Sequence, residues 1–155
     1  RFLPMSVIVL SGYFNPIHPG HVSMIQDAKK YAEKLIVIVN SDAQVKEKRT
    51  VPFLDEWARC EIVKNIKGVD SVLLAIDDDG TVVKSLEKIK NEHQTEEVFF
   101  GNGGDRSPHA SAIPEVKFCK ANSIALVYGI GDEKRYSSSH LIQKASLCYG
   151  EYTNG

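Results

Sequence analysis

Short runs of uninterrupted apolar, β-branched residues alternate along this chain with stretches whose apolar residues recur every three or four positions. The first run, SVIVLS at 6–11, stops at Gly12 and reads as a strand buried on both faces. Across 20–34 the period changes. Val22, Ile25, Ala28, Ala32 and Leu35 fall on one helical face, with lysines and Glu33 on the other. LIVIVN at 35–40 is a second buried strand. Strand, helix and strand within about thirty residues form a βαβ unit, whose strands are parallel.

The alternation then repeats. Residues 54–66 read as a helix with Leu54, Trp57, Ala58, Ile62 and Ile66 on one face, a stripe that reads as core or dimer packing and not as a cofactor box. SVLLAI at 71–76 is a strand, 81–91 an amphipathic helix, and EVFFG at 97–101 a strand running into glycines. A short loop or helical turn is expected next. SIALVYG at 123–129 is the last strand, and residues 138–147 the last helix. This order predicts an α/β protein with a doubly wound parallel sheet in a single domain. The domain is expected over residues 5–150. Residues 1–4 read as an added remnant ahead of a natural start at Met5, and 151–155 as a flexible tail.

Composition narrows the function classes. Of 155 residues 43% are hydrophobic and 25% charged, ordinary for one globular domain. Net charge is −1, so no global basic field holds nucleic acid, and a bound anion needs a local cluster. Cys60, Cys119 and Cys148 are odd in number and share no metal or disulfide spacing, which fits reduced thiols in the cytoplasm. No apolar run approaches the roughly 18 residues of a membrane span.

In doubly wound sheets ligands bind beyond the carboxyl ends of the strands. Segments 12–21, 40–49, 101–106 and 129–139 lie there, and they are the polar, glycine-containing parts of the chain. The first, GYFNPIHPGH, places His18 and His21 around Pro19-Gly20 where a strand meets a helix. A helix N-terminus favours anions, and imidazole N–H groups there can hydrogen-bond phosphate oxygens and stabilise a pentavalent phosphorus. A zinc site is disfavoured: HxxH supplies two ligands, and His93, His109 and His140 are scattered. Neither GxGxxG nor a Walker loop occurs. The acidic run at 77–79 reads as a turn and helix cap, not a metal site.

These residues resemble a family. HPGH after GYFNPI is similar to the HxGH signature of the cytidylyltransferase-like nucleotidyltransferases. VNSDAQVKEK, DEWARCEIV, GNGGDR and YSSSHLI resemble further segments of the glycerol-phosphate and sugar-phosphate branch, in the same order. The resemblance implies a Rossmann-like fold and a homodimer. It implies that His18 and His21 contact the triphosphate, with Lys46 or Lys48 closing over the phosphates from a flexible loop. Gly12, Tyr13, Phe14, Asn15, Gly20, Gly104, Asp105, Ser137, Ser138 and Ser139 would bind the nucleotide. Asp42, Lys48, Arg59 and Arg135 would bind the acceptor, with Arg59 gripping its phosphate bidentately. Mg²⁺ would travel with the nucleotide rather than occupy a protein metal site.

Two departures stand out. Asn15 replaces the aspartate usual in the glycerol-phosphate branch, and FNPIH is closer to the mononucleotide adenylyltransferases. The serine segment lacks the arginine of the adenylyltransferase ending, with Gln143 and Lys144 instead. The expected activity is nucleotidyl transfer to a phosphorylated alcohol or sugar such as glycerol 3-phosphate, CTP ranking first as donor. The alternative is an ATP-using adenylyltransferase acting on a heptose phosphate, a mononucleotide or pantetheine phosphate. An alternative of another class is a catalytically silent nucleotide-binding regulator. No nucleic-acid or membrane partner is expected.

Overall fold

The computed structural model describes residues 5–103, 113–131 and 137–154. Five strands form one parallel sheet: β1 (Ser6–Gly12), β2 (Lys34–Val39), β3 (Ser71–Leu74), β4 (Glu97–Gly103) and β5 (Ala125–Ile130), in the order β3-β2-β1-β4-β5. β1 pairs with β2 from Val7 opposite Lys34, and with β4 from Ser6 opposite Glu97. The winding therefore reverses at β1, and β1 and β4 flank the crevice where such sheets bind ligands.

Six helices are described: α1 (Pro19–Ala28), α2 (Asp42–Glu47), α3 (Glu56–Lys64), α4 (Val83–Glu92), α5 (Ile113–Ala121) and α6 (Ser138–Asn154). Strand residues alternate between two packed layers. Val7, Val9, Ile36, Ile38 and Phe100 face Leu86 and Ile89 of α4 and Cys119 of α5. Ile8, Leu10, Leu35 and Val37 face Ile25 and Ala28 of α1 and Val63 of α3. Burial on both faces is why these strands read as continuous apolar runs. Gly101 is part of the same packing, since a Cβ there would lie 2.5 Å from Ile130 Cδ1 and 2.7 Å from Leu10 Cδ2. Among the described residues no helix is long and apolar enough to cross a membrane.

Several boundaries differ from the sequence reading. α1 ends at Ala28 instead of reaching 34, and Lys29 Nζ bonds Glu33 O and Asp70 across the turn that follows. A short helix, α2, occupies the segment expected as a flexible loop. Ser41 and Gln44 close a capping box at its start, and Gln44, buried, donates to Asp79 O and Thr81 O. α5 stands where a loop or helical turn was expected. α6 continues to Asn154, so 151–154 is helix and not tail.

α3 is rotated from the expected face. Arg59 and Val63 are its buried residues, while Trp57 is 68% exposed. The reason is polar: the guanidinium of Arg59 meets backbone carbonyls at the site, and this outweighs burial of the indole. The acidic turn behaves as expected, with Asp77 accepting from Lys84 N and Ser85 N in the first turn of α4.

Candidate active site

His18 and His21 build the start of α1. His18 is the N-cap, and its Nδ1 accepts from Gly20 N at 3.1 Å. His21 Nδ1 accepts from His18 N at 3.1 Å, closing a capping box made of two imidazoles. The rings stack with centroids 3.8 Å apart and planes 29° apart. Because each Nδ1 accepts, the proton of each neutral ring sits on Nε2. In that tautomer both histidines carry their N–H on Nε2, and both sit at the positive end of a helix.

Gly20 allows this arrangement. A Cβ there would lie 2.9 Å from Cε1 and 3.0 Å from Nδ1 of His18. Gly12, expected to let a ligand approach the backbone, instead makes room for the Phe14 ring, whose Cζ would be 2.9 Å from a Cβ. Phe14 is buried in the core layer below, has φ of 51°, and packs against His21 at 4.8 Å between centroids.

Arg59 and Asn15 do not offer their polar groups to a ligand. Arg59, 2% exposed, donates from Nη1 to Tyr13 O and Asn40 O, from Nε to Leu54 O, and from Nη2 to Asp42 Oδ1 at 2.7 Å. It thus ties the loops after β1 and β2 to the start of α3. The guanidinium expected to grip an acceptor makes these contacts within the protein, and Asp42, expected at the substrate, is the arginine's partner. Asn15 Nδ2 donates to Val51 O and its Oδ1 accepts from Phe53 N, so the amide holds segment 51–53 against the histidine loop. An aspartate could accept but not donate there, which accounts for Asn15. Cys60 lies beside Arg59; burial pushes its thiol pKa up, and the guanidinium pulls it back less strongly.

The lysines lie on one side of the histidine loop. Lys46 is exposed in the last turn of α2, and Lys48, which caps that helix, has Nζ 3.8 Å from the centroid of the Tyr13 ring. The serines start α6. Ser137 Oγ accepts from His140 N, Ser138 Oγ donates to Pro16 O at 2.9 Å, and Ser139 is exposed. A second helix N-terminus is thereby pinned to the loop that carries the histidines. Gly104, Asp105 and Arg135 lie outside the described residues.

Sequence reasoning missed an apolar recess of about 290 Å³ beside this loop. Phe14, Pro16 and Ile17 line it with Phe53 and Leu54, Ile62 of α3, and Leu141, Ile142 and Ala145 of α6. Asn15 and Arg59 also border it. The available signal was the apolar pair Leu141-Ile142 after the serines, which the sequence reading assigned to a helix without a partner.

A parallel sheet that reverses at β1, with two helix N-termini and a stacked histidine pair at its carboxyl edge, defines a nucleotide-handling α/β protein. Residues 9–144 match the model of the cytidylyltransferase-like family, and the chain belongs to this family of nucleotidyltransferases. It is 40% identical over 86 residues to an FAD synthase from Ferroglobus placidus, a match covering 56% of this chain and 55% of that one. It is 30% identical over 149 residues to the bifunctional protein HldE of Geobacter metallireducens, covering 94% of this chain and 28% of that one. The chain spans about half the length of the first relative and about a quarter of the second. A solved lipopolysaccharide core biosynthesis protein from Thermoplasma volcanium superposes with a TM-score of 0.63 at 22% identity, over 83% of this chain and 99% of that one.

Proposed function

We propose that this protein transfers a nucleoside monophosphate, AMP in first place, from a nucleoside triphosphate to the phosphate of a small acceptor. An acceptor phosphate oxygen attacks the α-phosphorus in line, the bond to the bridging oxygen breaks, and pyrophosphate leaves. The observation that carries this reading is the paired capping: both imidazoles use Nδ1 at the start of α1, which leaves the N–H of each neutral ring on Nε2. Two such donors stabilise negative charge gathering on the phosphoryl oxygens without proton transfer. Positioning supplies the rest, as it does in related chemistry.

The remaining roles follow from placement. Lys46 and Lys48 are proposed to neutralise the leaving pyrophosphate, supported by Lys48 Nζ lying over the Tyr13 ring in the loop that leads to the histidines. The exposed Ser139 and the backbone N–H groups of the first turn of α6 suit phosphate oxygens. Arg59, Asp42 and Asn15 position the loops and do not contact the reacting atoms. Gly104 and Asp105 are proposed for the nucleotide and Arg135 for the acceptor. Mg²⁺ is held by the triphosphate and water and offsets its charge.

ATP moves ahead of CTP on the likeness to an FAD synthase, an enzyme named for an adenine-containing product. Asn15 in FNPIH favours the same choice. A homodimer in the cytoplasm is part of the proposal, supported by exposed Val51, Trp57, Leu147 and Tyr149. The test is pyrophosphate release in Mg²⁺ with ATP, CTP, GTP and UTP against a panel of phosphorylated acceptors. Release with ATP is expected. Release with CTP alone reverses the nucleotide choice, and bound nucleotide without release for any acceptor points to the regulator.

A further inference from the structure

Lys48 is exposed at the end of a short helix, yet the backbone that carries it is fastened on both sides. Four residues earlier, buried Gln44 donates to Asp79 O and Thr81 O, which ties α2 to the turn before α4. Three residues later, Val51 O accepts from Asn15 Nδ2, which ties the chain leaving α2 to the histidine loop. Between these anchors Lys48 N donates to Val45 O and Arg49 N to Lys46 O, and Arg49, with φ of 58°, turns the chain out of the helix.

The ring beneath the ammonium is held as well. Tyr13 O accepts from Arg59 Nη1 at 2.8 Å, and the neighbouring Gly12 O accepts from Asn40 N at 2.9 Å. Phe14, the next residue, is buried and packs its ring on His21. The half-buried Tyr13 ring thus stands at the carboxyl end of β1, on the segment leading to the histidine pair, with Lys48 Nζ 3.8 Å from its centroid. A lysine side chain loses much rotamer freedom on settling in one place. A ring face within cation–π distance narrows that search before a ligand arrives. An ammonium has three N–H donors, so resting on a ring leaves donors for phosphate oxygens. Lys46 differs, because residues two apart along a helix do not share a face.

We propose that Tyr13 is a positioning residue: its ring face pre-places the Lys48 ammonium for the triphosphate and stays beneath it when the phosphates bind. Tyr13 thereby acts through the lysine and not by contact with base or ribose, and Lys48 is set apart from Lys46 at the site. The proposal rests on the nucleotidyltransferase reading above.

Inorganic tripolyphosphate in Mg²⁺ is the probe, since it carries the phosphates without base, ribose or acceptor. In the unmodified chain the NMR signals of the Lys48 ε-methylene protons are expected upfield of those of the other lysines, through the ring current of Tyr13, and to stay there at saturating tripolyphosphate. Tyr13→Leu removes the aromatic face and should weaken tripolyphosphate binding about two- to fivefold, the Boltzmann factor of an exposed cation–π contact. Tyr13→Phe restores the face and should recover most of that loss. In a Lys48→Met background Y13L should add nothing, whereas in a Lys46→Met background its full effect should remain. An ordinary Lys48 shift, or an upfield shift that tripolyphosphate abolishes, overturns the proposal on the unmodified chain, whether or not a variant folds. Equal or tighter binding by Y13L, a Y13F as weak as Y13L, or a Y13L effect that persists beside K48M also overturns it. Any of these, with pyrophosphate still released from ATP, leaves the nucleotidyltransferase reading standing. Coupling of Tyr13 to Lys48 with no pyrophosphate from ATP for any acceptor upholds the pair and overturns the reading of the reaction.

Discussion

The imidazoles of His18 and His21 lie stacked, 3.8 Å between ring centroids, and each accepts a backbone N–H of the α1 start through Nδ1. One pair of side chains thus caps a helix through Nδ1, and the proposed reaction adds a second task, donation from each Nε2–H. The tasks separate by substitution. His18→Ala loses both, and turnover is expected to fall about 10²–10³-fold, the scale for removing one charge-stabilising donor. Stability falls by about 1 kcal/mol with the cap. His18→Asn keeps a cap acceptor but not the Nε2–H donor. Urea denaturation should place H18N near the parent, while pyrophosphate release stays as low as in H18A. Recovery of turnover in H18N would assign the histidine to capping alone.

Gly20 is the second test of the same geometry. A methyl group there meets the His18 ring, which can swing aside because it ends a side chain, and alanine favours a helix. Gly20→Ala is therefore expected to leave stability within about 1 kcal/mol of the parent. The displaced ring should cost at least tenfold in kcat. Thermal melting and steady-state rates on one preparation decide it, and an unchanged kcat would show that the ring position observed here is not the working one.

Arg59 is expected to matter for folding more than for acceptor contact. Arg59→Met leaves the carbonyls of Tyr13, Asn40 and Leu54 without their donor, and the Asp42 carboxylate without its partner. At about 1–3 kcal/mol for each buried group left unpaired, the loss should reach several kcal/mol. Arg59→Lys cannot span the same fork and recovers only part. Denaturant midpoints measure this; a full-stability R59M with a raised acceptor KM would instead place Arg59 at the substrate.

Asp70 gives a pH dependence with a definite sign. Its hydrogen bond from Lys29 Nζ, helped by Leu35 N, holds its pKa below the ordinary carboxylate value, against a smaller opposing effect of burial. A pKa lowered by folding contributes stability above the unfolded value, and that contribution disappears as pH falls through the folded one. Asp70→Asn should thus be less stable than the parent at neutral pH and converge with it in acid. The pair is half-exposed, so salt should narrow the gap. A gap that widens on acidification would contradict the assignment.

The thiols should sort by burial. Cys148 is exposed, whereas Cys119 is buried and its pKa is pushed up to about 12, chiefly by burial and further by Glu115. Alkylation followed by mass spectrometry should label Cys148 first, Cys60 slowly, and Cys119 only on unfolding. Early labelling of Cys119 would indicate that the α5 layer opens readily.

The parallel sheet, its two packed layers and the histidine pair at the end of β1 were legible in the sequence. Buried parallel strands leave continuous apolar runs, and the chemistry of HPGH depends on neighbours within one helical turn. Local spacing carries that information. The roles of Arg59 and Asn15 were decided only by tertiary structure. Their partners include Tyr13 and Asn40 in one case, 46 and 19 positions away, and Val51 and Phe53 in the other, 36 and 38 positions away. Nothing in the local pattern distinguishes an arginine that grips carbonyls from one that grips a phosphate. The same holds for the phase of α3, where the guanidinium turned inward and left Trp57 in solvent. The recess is a matter of assembly as well, since its walls come from three segments whose apolar residues each read as ordinary packing. Periodicity reports which face of an element is apolar; which groups meet across elements depends on how the whole chain closes.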